Sequence, residues 1–351
     1  MLIHDPSKLI LCDKSMPVKR SGCPAWLNMA DADLAALCVV GAVGALLVLY
    51  AKNRERWQTT WIACEGWHRK RSKFSFVRAQ NLLLITDFDA TLTTGDSEQC
   101  HDLCGFSHVM PADFRSKFAP LLDWAANPDI DGVEWWDRAH SLMVQYGVPK
   151  RQLIPRLVRE GKMTPRPGAL ELLRRLEELN IPVLIVSAGL SDVIEEWLRQ
   201  HGALSENVTV CSNRLNYAAD MTPKSVSPEP PITSFTKAYA YSSASSFFEQ
   251  HATRKHLIVL GDSVTDVDAS KHVPYEDFLS VGFLNSRLDG ILHSQAFDAV
   301  VLGDHGSLLP VADLIDEVAP PSSLFRVLSR RSLSIPSANT SPLISRARTE
   351  P

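Results

Sequence analysis

The sequence lacks a strong excess of charge of either sign. Its 36 lysines and arginines are nearly balanced by 40 aspartates and glutamates, which leaves a net charge of −4 at pH 7. Proteins that bind nucleic acid through its phosphates usually present a strongly basic surface, so this balance argues against a nucleic-acid partner. The sequence also lacks an internal repeat, whereas its 45% hydrophobic and 22% charged residues predict an ordinary folded core.

Cysteines are few and do not form a pattern. The seven cysteines are scattered and odd in number, which is typical of a reducing compartment and not of a disulfide framework. Cys100, His101 and Cys104 resemble half of a zinc site, but no second half follows at the usual spacing. Free thiols are therefore expected.

One long run near the N-terminus contains no charged residue. It extends from 34 to 50, which is the lower length limit for a membrane-spanning helix. Acidic residues precede the run and basic residues follow it, so the positive-inside rule places the C-terminal side in the cytosol. The sequence thus predicts a candidate transmembrane helix over 31–51 that anchors a cytoplasmic catalytic domain. A buried core helix or a stray N-terminal extension is the alternative.

The segments that flank the central region differ from it in composition. Residues 1–30 show no hydrophobic period and residues 321–351 are rich in Ser and Arg, so both are expected to be disordered tails. Residues 52–80 form a basic linker with three tryptophans, suited either to a membrane surface or to a solvated helix. Ser334 follows Arg331 closely and, if phosphorylated, could dock on an arginine cluster of a partner; plain disorder is the alternative.

Two aspartates stand directly after an apolar segment at the start of the central region. Leu82–Ile85 is apolar throughout, which predicts a strand buried on both faces of a parallel sheet. Asp87 and Asp89 follow at its carboxyl end, where open α/β sheets place their ligands. Carboxylates at this spacing can share a cation, and one of them can act as a nucleophile. An Asp-rich turn without a function is the alternative.

Strands and helices alternate along the rest of the central region. Further strands are predicted at 181–186, 208–212, 256–260, 278–284 and 299–302. This alternation predicts a doubly wound parallel α/β domain over 81–320. Residues 98–165 contain only helical patterns, so a helical cap should be inserted over the carboxyl ends of the strands. Residues 221–231 are rich in Pro and Ser and predict a loop.

Other strand ends carry groups that suit a phosphate ligand. Ser187 follows one predicted strand and precedes a helix, so its hydroxyl and the next amides form an anion site. Asp262 and Asp266 follow the strand at 256–260. Lys237 comes shortly after the Pro-rich loop, where a solvated surface lysine would look the same.

In this order, the groups resemble the four signature motifs of the haloacid dehalogenase superfamily. Asp87 and Asp89 match the first motif, Ser187 the second, Lys237 the third, and Asp262 with Ser263 and Asp266 the fourth. The segments 186–200, 260–263 and 282–287 are similar to the pyrimidine 5′-nucleotidase family, the cytosolic type III enzymes. The resemblance covers about residues 82–318.

The resemblance implies a 5′-nucleotidase that hydrolyses pyrimidine nucleoside 5′-monophosphates through an aspartyl-phosphate. Asp87 would be the nucleophile, and Asp89 the general acid and then the general base. The Asp87 carboxylate, the Asp89 backbone carbonyl and Asp262 would hold Mg²⁺, which prefers oxygen ligands.

Five other residues are assigned to the phosphate site by the same resemblance. Ser187, Lys237 and the amides that begin at Ala188 would bind the phosphoryl oxygens. Ser263 would touch the phosphate, and Asp266 would hold Lys237 or its loop in place.

Base recognition is where this chain departs from the family pattern. The family reads the base with a Glu and a Ser from the cap, but Ala139 stands at the expected Ser position. The Glu has no clean counterpart, and Asp123 is the best substitute. The tryptophans Trp124, Trp135 and Trp136 could stack on a base or simply form the core of the cap.

Two other functions remain open on the sequence. Loss of the base-reading residues would also suit a phosphatase of this superfamily that acts on another small phosphomonoester. A membrane-tethered interaction protein with an inactive phosphatase fold is disfavoured, because Asp87, Asp89 and Asp262 are all present.

Overall fold

The computed structural model describes residues 61–318, apart from gaps at 76, 124–126, 128–131 and 286–289. The candidate transmembrane helix, both predicted tails and Ser334 lie outside this part of the chain. No helix among the described residues is long and apolar enough to cross a membrane.

A sheet of eight strands forms the centre of the described chain. The strands are β1 (Trp61–Ala63), β2 (Leu82–Thr86), β3 (Val183–Leu190), β4 (Val208–Tyr217), β5 (Pro223–Ser227), β6 (His256–Gly261), β7 (Asp277–Leu284) and β8 (Ala299–Leu302). Their order is β1-β8-β7-β6-β2-β3-β4-β5. The six inner strands pair in parallel, while β1 and β5 pair antiparallel at the two edges.

Helices connect these strands and build the cap. The α-helices are α1 (Trp67–Phe74), α2 (Cys100–Phe106), α3 (Ala112–Phe118), α4 (Gly132–Tyr146), α5 (Ile154–Glu160), α6 (Ala169–Glu178), α7 (Ser191–Gln200), α8 (Ala240–Ser243), α9 (Ser245–Gln250), α10 (Gly290–Ala296) and α11 (Leu309–Val318). Short 3-10 helices lie at Ala79–Asn81, Ala119–Leu122, Arg151–Leu153, Lys237–Tyr239 and Val264–Ser270. Helices α2 to α5 fall within the predicted cap at 98–165, and the predicted doubly wound sheet is confirmed.

Strand β2 sits at the middle of the sheet because its sequence is apolar on both faces. All five of its residues are buried, and it pairs in parallel with β3 on one side and β6 on the other. The carboxyl ends of three adjacent parallel strands therefore meet at one edge of the sheet. The residues that follow β2, β3 and β6 are brought together there.

The prediction of a loop at 221–231 is wrong, because β5 occupies part of that segment. It forms a hairpin with β4, in which Leu215 lies opposite Val226. The strand is polar and partly exposed, so its sequence carries no hydrophobic alternation. Pairing with a neighbouring strand, and not intrinsic propensity, determines its conformation.

The C-terminal part of the predicted basic linker folds onto the sheet. Strand β1 pairs antiparallel with β8, and α1 buries Trp67 and Phe74. Its basic residues face acids of the domain: Lys70 lies 2.7 Å from Asp298, and Lys73 lies 2.8 Å from Asp277. Residues 61–81 are thus a structural part of the domain.

Candidate active site

Three carboxylates converge at the carboxyl end of the central strands. Asp87 follows β2, and its backbone amide donates to the Leu260 carbonyl of β6 at 2.9 Å. Asp262 follows β6, and Asp266 lies in the next 3-10 helix. One carboxylate oxygen from each of the three acids lies within 4.8 Å of the others.

Lys237 reaches into this cluster from the start of the 3-10 helix Lys237–Tyr239. Its side chain is buried, and its Nζ donates to Asp87 Oδ1 at 2.7 Å and to Asp266 Oδ1 at 2.6 Å. The second oxygen of Asp266 accepts from the Ser263 amide at 2.8 Å. Both oxygens of Asp266 are therefore occupied, and this residue fixes the position of the lysine.

The charges of this cluster are unbalanced. Burial raises the pKa of Asp87 well above its usual value, Lys237 opposes that rise, and the charges of Asp266 and Asp262 add to it. Burial alone would lower the pKa of Lys237, but Asp266 and Asp87 more than offset this, so the lysine remains charged. Two of the three carboxylates, those of Asp87 and Asp266, thus share one buried ammonium group.

This donor set fits a hard divalent cation. Carboxylate oxygens are the ligands that Mg²⁺ prefers, and the cluster has too little positive charge. Lys237 and the Ser263 amide already bind both oxygens of Asp266. Asp266 is therefore the least suited of the three acids to bind a cation.

Asp89 stands beside the cluster in a different environment. Its Oδ1 accepts from the Cys100 amide at the start of α2 at 3.2 Å. Burial, followed by the charge of Asp87, raises the pKa of Asp89 to about 7, while the hydrogen bonds with Cys100 lower it. A carboxyl group with this pKa can both release and accept a proton near neutral pH.

Residues 187–190 form the irregular end of β3, the β3 loop, where the pairing register with β4 shifts. Hydrogen bonds to its carbonyl groups hold it in place. The Ala188 carbonyl accepts from Asn213 Nδ2 and from Trp136 Nε1, each at 2.9 Å. The Gly189 carbonyl accepts from the Ser212 hydroxyl at 2.8 Å. Any side chain at position 189 would meet the Cys100 sulfur at 2.7 Å, so the loop requires glycine there.

Two of the predicted phosphate ligands make local contacts in this structure. The Ser187 hydroxyl accepts from the Gly189 amide at 3.0 Å, so that amide is directed within the loop. The Ser263 hydroxyl lies 2.9 Å from the Thr265 hydroxyl and caps the 3-10 helix Val264–Ser270. Contact of Ser187 and Ser263 with a phosphate stays a prediction.

The cap residues proposed for base recognition differ in their exposure to solvent. Asp123 ends the 3-10 helix Ala119–Leu122 and is exposed. Trp135 and Trp136 are 3% and 6% exposed, and the Trp135 indole donates to the Leu121 carbonyl at 2.6 Å. These tryptophans are core residues of the cap, and Trp136 also connects the cap to the β3 loop. Trp124 lies outside the described residues.

Sequence reasoning missed two residues that fasten the site. Asn213 bonds Ala188 and both backbone groups of Ile232, so it connects the β3 loop to the segment that leads to Lys237. Arg166 is 1% exposed and bonds the backbone after Asp89. In the sequence, Arg166 is visible only as an arginine between two prolines, and this pattern predicts a turn without indicating a role in the site.

The central parallel sheet, the acid pair after its middle strand and the inserted helical cap define a haloacid dehalogenase-type phosphohydrolase. A crystal structure of cytosolic 5′-nucleotidase IIIB bound to cytidine superposes with a TM-score of 0.62 at 23% identity, covering 71% of this chain and 90% of that chain. This likeness shows the fold.

Sequence comparisons identify the family. The profile of the pyrimidine 5′-nucleotidases (UMPH-1) matches residues 130–319. A 7-methylguanosine phosphate-specific 5′-nucleotidase of Gallus gallus is 33% identical, over 59% of this chain and 77% of the relative. The enzyme of that name from Mus musculus is 30% identical, over 59% of this chain and 74% of the relative. The chain belongs to the pyrimidine 5′-nucleotidase family and is a 5′-nucleotidase, as the sequence motifs predicted.

Proposed function

We propose that this chain is a Mg²⁺-dependent 5′-nucleotidase that hydrolyses pyrimidine nucleoside 5′-monophosphates to nucleoside and phosphate. The observation that carries the proposal is the pair of carboxyl groups after β2. Asp87 is bonded to the ammonium of Lys237, and Asp89, two residues on, has a pKa of about 7. One carboxylate is thus suited to attack and the other to proton transfer.

In the first step, an Asp87 carboxylate oxygen attacks phosphorus, and the bond between phosphorus and the 5′-oxygen breaks. The proton held by Asp89 moves to the departing 5′-oxygen, so the nucleoside leaves as an alcohol. The enzyme retains the phosphoryl group as an acyl phosphate on Asp87. In the second step, Asp89 removes a proton from water, which attacks the acyl phosphate. Phosphate leaves and the Asp87 carboxylate is regenerated.

The phosphoryl oxygens carry negative charge throughout, and the chain provides groups to balance it. Lys237 contributes a fixed ammonium, and Ser187 and the Ala188 amide contribute hydrogen bonds from the β3 loop. Mg²⁺, held by Asp87, the Asp89 backbone carbonyl and Asp262, would neutralise further charge when bound. Asp266 orients the lysine through its 2.6 Å bond. Ser263 begins the following 3-10 helix and is proposed to contact the phosphate from that side.

The base is proposed to be read from the cap. Asp123 is exposed there, and its carboxylate could accept from an exocyclic amino group such as that of cytosine. The family profile favours pyrimidines, whereas the matched relatives are named for 7-methylguanosine phosphate. 7-Methylguanosine 5′-monophosphate is therefore the second candidate substrate. Another small phosphomonoester is the third, because Ala139 offers no hydroxyl to a base.

A substrate panel tests this proposal. Phosphate release would be measured with Mg²⁺ from CMP, UMP, dTMP, AMP, GMP, 7-methyl-GMP and several sugar phosphates. We expect kcat/KM for CMP or UMP to exceed that for AMP and GMP by about 10-fold or more, because leaving one buried hydrogen-bonding group of the base site unpaired costs about 1–3 kcal/mol. Hydrolysis of sugar phosphates alone would contradict the nucleotidase assignment, and preference for 7-methyl-GMP would move the specificity to the second candidate.

The pKa of Asp89 predicts the alkaline side of the pH profile. Asp89 must be protonated to donate to the 5′-oxygen, and its pKa is about 7. As the pH rises through this value the protonated fraction falls, so kcat/KM should drop by about tenfold per pH unit above it. The measurement is kcat/KM from pH 5.5 to 9, and Asp89→Asn should lower kcat by about 100-fold or more. A profile that stays flat up to pH 8.5 would remove Asp89 from proton transfer.

Removal of divalent cations should silence the enzyme. EDTA is expected to lower phosphate release by about 100-fold or more, and added Mg²⁺ should restore it. Mg²⁺ should also raise the melting temperature, because it relieves repulsion among Asp87, Asp262 and Asp266. Asp262→Asn should abolish that rise. Activity and stability that are both indifferent to chelation would exclude the proposed metal site.

The catalytic domain is proposed to act in the cytoplasm, with residues 34–50 as a membrane anchor. The uncharged run with a basic segment on its C-terminal side supports this arrangement. Phosphorylated Ser334 is proposed as a docking site for a partner on the basis of the neighbouring arginines.

A further inference from the structure

Arg166 is a buried arginine that donates hydrogen bonds to the turn at Ala90 and Thr91. This turn follows the two catalytic aspartates and precedes α2. Its Nε donates to the Thr91 carbonyl at 2.8 Å, and its Nη2 donates to the Ala90 carbonyl at 2.5 Å. Its Nη1 donates to the Gly306 carbonyl at 3.0 Å. One guanidinium thus joins the turn after β2 to the loop after β8.

The turn that Arg166 holds has a conformation that needs support. Ala90 has φ of 58°, in the left-handed region that residues with a side chain rarely adopt. The Asn285 amide also donates to the Ala90 carbonyl at 3.1 Å, and the Asn285 oxygen accepts from Arg166 at 2.8 Å. The Ala90 carbonyl therefore accepts hydrogen bonds from two side chains, Arg166 and Asn285, which also bond each other.

Burial of the charged Arg166 side chain costs free energy, so its hydrogen bonds and packing must compensate for that cost. The guanidinium is stacked over the Phe283 ring at 4.5 Å, and burial lowers its pKa to about 10, so it is still charged at neutral pH. Its side-chain hydrogen bonds go to four turn or loop carbonyls, those of Ala90, Thr91, Gly303 and Gly306, and to one side-chain amide. A planar fork with several fixed donors can serve such diverging acceptors, whereas a lysine ammonium at the same place cannot reach them all.

We propose that Arg166 is a positioning residue for catalysis, which holds the turn Asp89–Thr91 so that the Asp89 carboxyl group faces the 5′-oxygen. Thr91 also lies 3.4 Å from Asp262 through its hydroxyl, so the same turn meets the acid cluster. The inference rests on the proposed role of Asp89. A displacement of about 1 Å in such a group is enough to reduce turnover by about 100-fold.

The test compares Arg166→Lys with Arg254→Lys in the full chain. Arg254 is a matched control, because its guanidinium likewise bonds several backbone carbonyls, those of Ala79, Leu82 and Asn180, at the opposite end of β2. Both variants should lower the melting temperature. Arg166→Lys should also lower kcat by about 100-fold with KM changed less than threefold, whereas Arg254→Lys should leave kcat within about twofold.

Asn285→Ala is a second test variant, which decides the question if Arg166→Lys does not fold. It removes one bond to Ala90 and is expected to lower kcat by about 10-fold, and its effect should be non-additive with that of Arg166→Lys because the two side chains share a partner. A kcat within threefold of the unsubstituted chain for folded Arg166→Lys, or for Asn285→Ala if the former does not fold, would overturn the proposal.

Turnover in these tests would be followed with p-nitrophenyl phosphate beside CMP. A chain that hydrolyses the former and no nucleotide would contradict the proposed substrate while still testing Arg166. A chain that hydrolyses neither of these compounds, nor 7-methyl-GMP, would overturn the positioning role together with the proposed function.

Discussion

Replacing Asp87 with asparagine is expected to abolish phosphate release, with kcat reduced by more than about 1000-fold. The amide cannot form the acyl phosphate, and both oxygens of Asp266, the other carboxylate that bonds Lys237, are already held by Lys237 and the Ser263 amide. The fold should persist, because burial and two nearby carboxylates already disfavour the charge of Asp87. The melting temperature should therefore be unchanged or raised. Phosphate release and thermal unfolding measured on the same preparation check both expectations.

Asp268→Asn is the control for this substitution. Asp268 lies on the 3-10 helix that carries Asp266, and its carboxylate pairs with Lys271 at 2.9 Å on the surface. Its loss should change kcat by less than about twofold, because a solvated surface pair contributes little. Residual activity of Asp87→Asn above a few per cent would show that another group is the nucleophile.

Replacing Lys237 with methionine should cost both activity and stability. The substitution removes the ammonium that bonds Asp87 and Asp266, so phosphoryl oxygens lose a fixed positive charge. Loss of one such group typically lowers kcat by about 100- to 1000-fold. Breaking a buried ion pair from one side costs about 3–5 kcal/mol of unfolding free energy, because the partner carboxylates remain buried without it.

A double substitution checks the predicted loss of unfolding free energy in Lys237→Met. Asp266→Asn in the Lys237→Met background removes one of the stranded carboxylates, so it should recover part of the lost unfolding free energy without recovering kcat. Lys271→Met is the control, since its exposed pair with Asp268 should contribute less than about 1 kcal/mol. Denaturant unfolding and initial rates would be measured for all variants. An unaltered kcat in Lys237→Met would place the lysine outside the phosphate site.

The acids at the strand ends were predictable because their signal is local. Leu82–Ile85 identifies a buried strand, and the position of Asp87 follows from the topology of parallel sheets. Lys237 was harder, because its contact with Asp87 joins residues 150 positions apart across a loop of irregular sequence. The sequence could propose this lysine only through a family motif. Asn213 positions the segment before Lys237 through hydrogen bonds to the backbone of Ile232. The spacing of residues in the sequence does not predict these bonds.

Other features could not be read from the sequence because distant partners determine them. Arg166 lies in a turn that looks solvated, yet its acceptors at Ala90 and Gly306 are 76 and 140 residues away. The tryptophans of the cap have helical spacing that suits either stacking or packing. The indole groups of Trp135 and Trp136 are in fact bonded to backbone carbonyls, which favours packing.

The antiparallel strand β1 determines where this enzyme can be shortened. Its pairing with β8 covers an edge that would otherwise present unpaired backbone groups to other molecules. A version that begins at residue 75 would uncover that edge and lose Trp67 and Phe74, which are 3% and 0% exposed. Such a protein would be prone to aggregate through open edges, and loss of activity in it would say nothing about the catalytic residues. Biochemical work on an isolated domain should therefore retain the chain from Trp61 onward.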